Sequence, residues 1–151
     1  MFICSKISKY RLVKKASNEN IQNVRFINYV PKVEVFNYIL ASDMGTSVLK
    51  NVETFKTVYS NKTFDYMACK KTILMAIDGV SRALVEQVNA GVFVQPENAK
   101  DFAQKVKFYL SNFSDIKKQG ENGCHFAKEN FDRMVLAKKH LHLIQEKLQH
   151  V

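Results

Sequence analysis

Residues Tyr59 to Gly79 read YSNKTFDYMACKKTILMAIDG, and two structural patterns meet in them. Ser60 is placed to cap a helix, its hydroxyl accepting from the free amides of Lys62 or Thr63. Behind it Phe64, Met67 and Ala68 fall on one helical face, while Lys70 and Lys71 suit the negative end of the helix dipole. The run TILMAI, Thr72 to Ile77, is then apolar on both faces of an extended chain, as a strand covered on both sides in a parallel sheet must be. A short helix leading directly into a buried strand is one step of an α/β alternation.

The same alternation continues outward in both directions. Phe2-Ile3-Cys4 suits a short strand and Lys9 to Ala16 a short helix. NVRFINYV, Asn23 to Val30, is rich in β-branched and aromatic residues and is stopped by Pro31. In KVEVFNYILAS, the positions Val35, Phe36, Ile39 and Leu40 have amphipathic-helix spacing, and MGTSVL after Asp43 is a further strand. Beyond Gly79, Ser81 to Val88 is a helix ending at Asn89-Ala90-Gly91, where the glycine is expected to take the left-handed conformation. VFVQ is the next strand. A helix capped by Asn98 follows, marked by Phe102, Val106, Phe108, Tyr109 and Leu110, and another runs from about Phe131 to Leu148. Strands alternating with helices predict a Rossmann-like parallel sheet flanked by helices, and 151 residues without repeat or linker suit one compact α/β unit, residues 1–151.

Lysine and arginine outnumber aspartate and glutamate 23 to 14, a formal net charge of +9, which favours anionic partners: phosphates, nucleic acid or a membrane surface. Charge does not choose among them. The lysines are spread along the chain as on solvated faces, and no nucleic-acid motif accompanies them, so no nucleic-acid partner is expected. Cys4, Cys69 and Cys124 are odd in number and widely separated, which suggests neither a disulfide framework nor a zinc site. His140 and His142, two apart on a helix, point to different faces, and His125 beside Cys124 is an equally poor metal pair. No metal and no cofactor are expected. The apolar start before Lys6 is too short for a signal peptide, and no run reaches the roughly eighteen apolar residues of a membrane span. The expected location is cytoplasmic, with any membrane contact peripheral, at the inner face. The basic tail AKKHLHLIQEKLQH has two readings: a helix lying on an anionic membrane or, more simply, one packing its apolar positions against the sheet.

In an open parallel sheet, ligands bind beyond the carboxyl ends of the strands, and a helix N-terminus there supplies free N–H groups and partial positive charge. Tyr59 to Lys62 suits such a place. The amides around Asn61 and Lys62, with the Lys62 ammonium, suit a diphosphate; Asp65, about one turn or roughly 5 Å further along, suits sugar hydroxyls. On spacing alone, Asp65 reads more simply as a surface carboxylate paired with Lys62, and Tyr29 and Tyr59 as core or rim aromatics.

Three phrases, NVRFINYVPKVEVFNYILASDMGTSVL from Asn23, SNKTFDYMACKKTILMAIDGVSRALVEQVNAGVFVQPENAKDFAQKV from Ser60 and FDRMVLAKKHLHLI from Phe131, stand in the order and spacing of a known family. Over about four fifths of its length, the chain resembles the C-terminal, donor-binding domain of GT-B-type glycosyltransferases, in particular the family 4 retaining enzymes of polysaccharide assembly. The resemblance implies a domain that binds a UDP- or GDP-linked sugar for transfer to a glycan or lipid-linked acceptor. It puts Asp65 at the second glutamate of the E-x7-E motif, on the donor ribose. Ser60, Asn61 and Lys62 fall on the helix start that receives the diphosphate, and Tyr29 and Val30 in the loop along the base.

The departures from the pattern are specific. The first motif glutamate falls at Thr57, which has no carboxylate, although related polysaccharide enzymes also relax this position. The family's Gly-Lys-Pro is Lys70-Lys71-Thr72 here, and the glycine after its third strand is Asn28. The acceptor-binding N-terminal domain, the strand-loop bearing an arginine and a lysine, and the first, central strand of the donor domain have no counterpart. The expectation is a fragment incomplete at its N-terminus, or one completed by a separate acceptor-domain chain, and inactive as a retaining hexosyltransferase by itself. The alternative is a noncatalytic nucleotide-sugar-binding subunit or scaffold remnant; a basic nucleic-acid-binding module is the weaker third reading.

Overall fold

The computed structural model describes residues 2–3 and 6–149, and the chain divides into two compact units, Met1–Tyr38 and Ile39–Val151. In the first unit, β1 (Phe2–Ile3) and β2 (Phe26–Ile27) pair in parallel, Phe2 opposite Phe26 and Ile3 opposite Ile27, with α1 (Lys6–Asn18) between them in sequence. Cys4, expected to close the first strand, lies outside the described residues. The strand expected over Asn23 to Val30 is observed over Phe26–Ile27, the two residues that pair with Phe2 and Ile3. Lys9 reaches from α1 to Asn28, its ammonium donating to the side-chain carbonyl at 2.6 Å. Pro31 ends the extended stretch and its carbonyl accepts from Glu34 and Val35, opening α2 (Lys32–Leu40), which runs in sequence across the boundary.

The second unit contains β3 (Met44–Val48), α3 (Glu53–Lys56), α4 (Asn61–Ala68), β4 (Thr72–Ala76), α5 (Val80–Val88), β5 (Gly91–Phe93), α6 (Ala99–Ser111), α7 (Phe113–Asn130) and α8 (Arg133–Gln149). Its sheet is parallel, in the order β3-β4-β5, with Thr46 opposite Leu74 and Leu74 opposite Val92. The fold is thus the expected parallel sheet flanked by helices. All five residues of β4 are buried, as the TILMAI run requires. Ile73, Met75 and Ile77 pack with Met67 of α4, Leu84 and Val85 of α5, and Phe126 of α7. Leu74 and Ala76 pack on the other side with Val94, Tyr109 and Phe102 of α6, and Ile116 of α7. Each such large side chain taken from water contributes about 1.5 to 3 kcal/mol, so β4 and its cover hold this unit together.

The helix α7 escapes sequence reading because its buried stripe contains Gln119, Gly120 and Gly123 beside Ile116, not an apolar repeat. The glycines are there for approach: a Cβ at Gly120 would overlap the Lys70 carbonyl oxygen, and one at Gly123 would lie 3.1 Å from Met67 Cγ. The polar residues are paired. Thr72 donates to the Ile116 carbonyl at 2.6 Å, and the buried Tyr109 hydroxyl donates to Gln119 Oε1 at 2.6 Å, with Gln119 Nε2 donating to Asn89 Oδ1 at 3.3 Å.

Three local expectations change. The left-handed residue after α5 is Asn89 (φ 50°), which tolerates that conformation, while Gly91 is needed because a Cβ there would overlap the Ile73 carbonyl. Ala68 is exposed, and Thr63 joins Met67 on the buried face of α4. The apolar residues of α8 make no packing face against the sheet: Met134 is 68 % exposed, Leu143 57 % and Leu148 71 %. Both faces of β4 are already filled, one by α4, α5 and α7 and the other by α6 and α7, so the central strand has no face left for another helix.

Gly120→Ala is expected to destabilise the unit by about 2 to 3 kcal/mol, since the methyl meets backbone and not a movable side chain, and thermal melting of the variant measures it. Burial pushes the Tyr109 hydroxyl up from the ordinary 10.0 to about 12. The folded chain therefore holds this proton more tightly than the unfolded one, so the Tyr109 contribution is intact below pH 10 and is lost as pH rises toward 12. Urea unfolding across that window is expected to show a steeper alkaline loss in the wild type than in Tyr109→Phe.

Candidate functional site

The helix α4 starts at the carboxyl ends of β3 and β4. Ser47, near the end of β3, donates from its hydroxyl to Ser60 Oγ at 2.9 Å. Ser81, in the first turn of α5 just beyond β4, accepts from the Ser60 amide at 3.1 Å and donates to the Val58 carbonyl at 3.1 Å. Both serines are buried, at 1 % and 0 % exposure. The turn that carries Ser81 enters α5 through Gly79, whose φ of 85° and close approach to the Lys56 carbonyl leave no room for a Cβ. The end of β3, the segment after α3 and the β4–α5 turn are thereby fastened at one point, the residue before α4.

Ser60 holds the capping backbone conformation (φ −76°, ψ 123°), but its hydroxyl does not cap the helix. The expected bond to Lys62 or Thr63 is absent because Ser60 Oγ faces Ser47. The Thr63 amide goes instead to the Ser60 carbonyl at 2.9 Å. Asn61 and Lys62, both exposed, carry the remaining first-turn amides, for which an α-helix has no internal partner. Asp65 lies four residues after Asn61 and is half-buried. Asn61, Lys62 and Asp65 are thus brought together on one eight-residue helix, with Ser60 immediately before it. Tyr29 and Val30 belong to the first unit, where Tyr29 is 78 % exposed and Val30 half-buried.

Tyr59 flanks the start of α4, with its ring edge-on to Phe64 at 5.9 Å and to Phe131 at 6.5 Å. Thr57 closes α3, and its hydroxyl donates to the Thr54 carbonyl at 3.1 Å. Arg82, the cation just beyond β4, is engaged: it stacks over Phe93 at 3.9 Å and pairs with Glu86 at 3.1 Å and Asp78 at 3.5 Å. The α4 exit uses Lys70 at φ 56°, and Lys71 donates from its ammonium to the Leu40 carbonyl at 2.9 Å, so neither lysine simply decorates the helix dipole. Sequence reasoning did not single out Ser47, and it named Ser81 only as a helix start. A serine inside a strand or at a helix start is too common to signal a site, and only the fold brings these two to Ser60. Among the described residues, no three His, Cys, Asp or Glu side chains gather where a metal could be held, and no helix is long and apolar enough to cross a membrane.

No family model matches the chain, and no curated protein sequence matches it. Solved structures do. Sucrose-phosphate synthase from Thermosynechococcus elongatus matches with a TM-score of 0.79 at 16 % identity, over 94 % of this chain and 35 % of that one. Anabaena HepE in complex with UDP matches with a TM-score of 0.76 at 17 % identity, over 99 % of this chain and 40 % of HepE. The same protein in complex with UDP-glucose matches at 0.74 and 17 %, over 94 % and 36 %. At these identities the likeness is one of fold, and it bears out the expected resemblance to part of a GT-B-type glycosyltransferase. This chain spans between 35 % and 40 % of each structure's length.

The first turn of α4 contains one uncompensated buried group, the Thr63 hydroxyl, fully buried without a hydrogen-bond partner. Thr63→Val keeps the shape and removes the unmet polar atom, so it is expected to raise stability by about 1 kcal/mol, read as an increase in the midpoint of urea unfolding.

Proposed function

We propose that this chain is the donor-binding part of a glycosyltransferase and takes a nucleoside-diphosphate sugar at the first turn of α4. The observation that carries the reading is the placement of that turn at the carboxyl ends of β3 and β4, with Asn61 and Lys62 exposed and Asp65 one turn along. The amides of Asn61 and Lys62 and the Lys62 ammonium hold the diphosphate, and Asp65 accepts from the ribose hydroxyls. During transfer, negative charge grows on the departing diphosphate as the bond to the sugar breaks, and fixed amides with a cation stabilise that charge without rearranging. The choice of UDP over GDP is supported by the HepE structures, which hold UDP and UDP-glucose in a similar fold.

The acceptor proposed is a glycan or lipid-linked sugar of polysaccharide assembly. The setting proposed is the cytoplasm, with contact at the inner membrane face through acceptor or partner. A second reading, a noncatalytic nucleotide-sugar-binding subunit, is favoured by one feature: Thr57 offers a hydroxyl turned back to Thr54 where the family places a carboxylate near the transferred sugar.

Calorimetric titration of the purified chain with UDP, GDP and their sugars tests the site. UDP is expected to bind, and Asp65→Ala to weaken it by about tenfold, roughly 1.4 kcal/mol. A chain that circular dichroism shows to be folded but that takes up no nucleotide would overturn the donor-site reading. Binding without transfer to any acceptor, even with an acceptor domain supplied, would select the noncatalytic subunit.

A further inference from the structure

The network around Ser60 divides its polar groups unequally. The Ser81 hydroxyl spends an acceptor site on the Ser60 amide and its proton on the Val58 carbonyl. The Ser60 amide is therefore committed inward. The Ser47 and Ser60 hydroxyls share a hydrogen bond at 2.9 Å, which ties the Ser60 side chain to β3. Ser60 is half-buried, whereas Ser47 and Ser81 are buried. The outward donors at the head of α4 are then the amides of the exposed Asn61 and Lys62, which a helix leaves without an internal partner.

We infer that Ser47 and Ser81 are positioning residues that aim the head of α4 at a diphosphate, which receives the Asn61 and Lys62 amides but not the Ser60 amide. This assignment rests on the donor-site reading and adds which groups meet the phosphates and what fixes them. The two serines come from rigid elements. Ser47 sits in the β3 ladder opposite Met75, and Ser81 opens α5 behind the tightly packed Gly79 turn. Anchors on two elements restrain the segment before α4 against both sliding and rotation. Such restraint matters for phosphate binding, because displacement of a donor by about 1 Å costs most of its interaction with a small anion. The nucleoside end makes no use of these anchors.

The test compares UDP with uridine, which lacks the phosphates, by NMR titration of the wild type and of Ser81→Ala, Ser47→Ala and Ser60→Ala, with thermal melting of each. Ser81→Ala and Ser47→Ala are expected to weaken UDP about tenfold and leave uridine within about twofold. Ser81→Ala should also speed hydrogen exchange of the Ser60 amide. In Ser60→Ala, UDP weakens several-fold while the amide at position 60 keeps its protection by Ser81. In the wild type, UDP should shift the Asn61 and Lys62 amide signals more than that of Ser60. Equal losses of UDP and uridine, or Ser60 amide exchange unchanged by Ser81→Ala, overturn the positioning assignment alone. A wild-type chain that binds neither UDP nor uridine overturns the donor-site reading and, with it, the diphosphate as the ligand. If Ser81→Ala does not fold, Ser47→Ala decides by the same UDP-to-uridine ratio.

Discussion

Burial of β4 on both faces is the constraint on which the larger unit depends. A strand that shows apolar side chains to both sides needs two layers of cover, and a parallel strand needs a crossover before and after it. The segments on either side of β4 meet those demands: α4 before it and α5 after it lie over one face, α6 covers the other, and α7 reaches both. The same connections carry each helix start to the carboxyl side of the sheet. The geometry of the candidate site is therefore a by-product of covering β4.

The helix α7 shows how polar and small residues take part in that cover. Gly120 and Gly123 allow its backbone to come down on Lys70 and Met67. Gln119 lies buried because Tyr109 and Asn89 satisfy both ends of its amide. The αL lysine at 70, where the resembled family has glycine, belongs to the same contact, since its carbonyl is what Gly120 accommodates. Close packing here selects for absent side chains and matched polar pairs, not for hydrophobicity.

Local chemistry was legible where it repeats along the chain. The TILMAI run declared a strand buried on both faces, Asn98 capped its helix by accepting from the Asp101 amide at 3.0 Å, and Ser60 stood before a helix as its type suggests. Ser60, Asn61, Lys62 and Asp65 could be grouped from spacing because one helix carries three of them and the fourth precedes it. Illegible were the contacts between distant segments. Ser60 prefers Ser47 to its own helix, Ser81 takes the Ser60 amide, and the apolar stripe of α8 stays exposed although its pattern would suit a packing face.

By itself, then, the sequence determined the alternation of strand and helix, the central position of β4 and the presence of a helix start bearing a lysine and a carboxylate, because side-chain periodicity and backbone preference are properties of neighbouring residues. Only the tertiary structure decided which amides of that helix start face outward, which buried serines hold it, and why glycines line α7. Those outcomes depend on which atoms of remote segments compete for one donor or one space, and residues 47, 60 and 81 meet only when the sheet has brought them to the same edge.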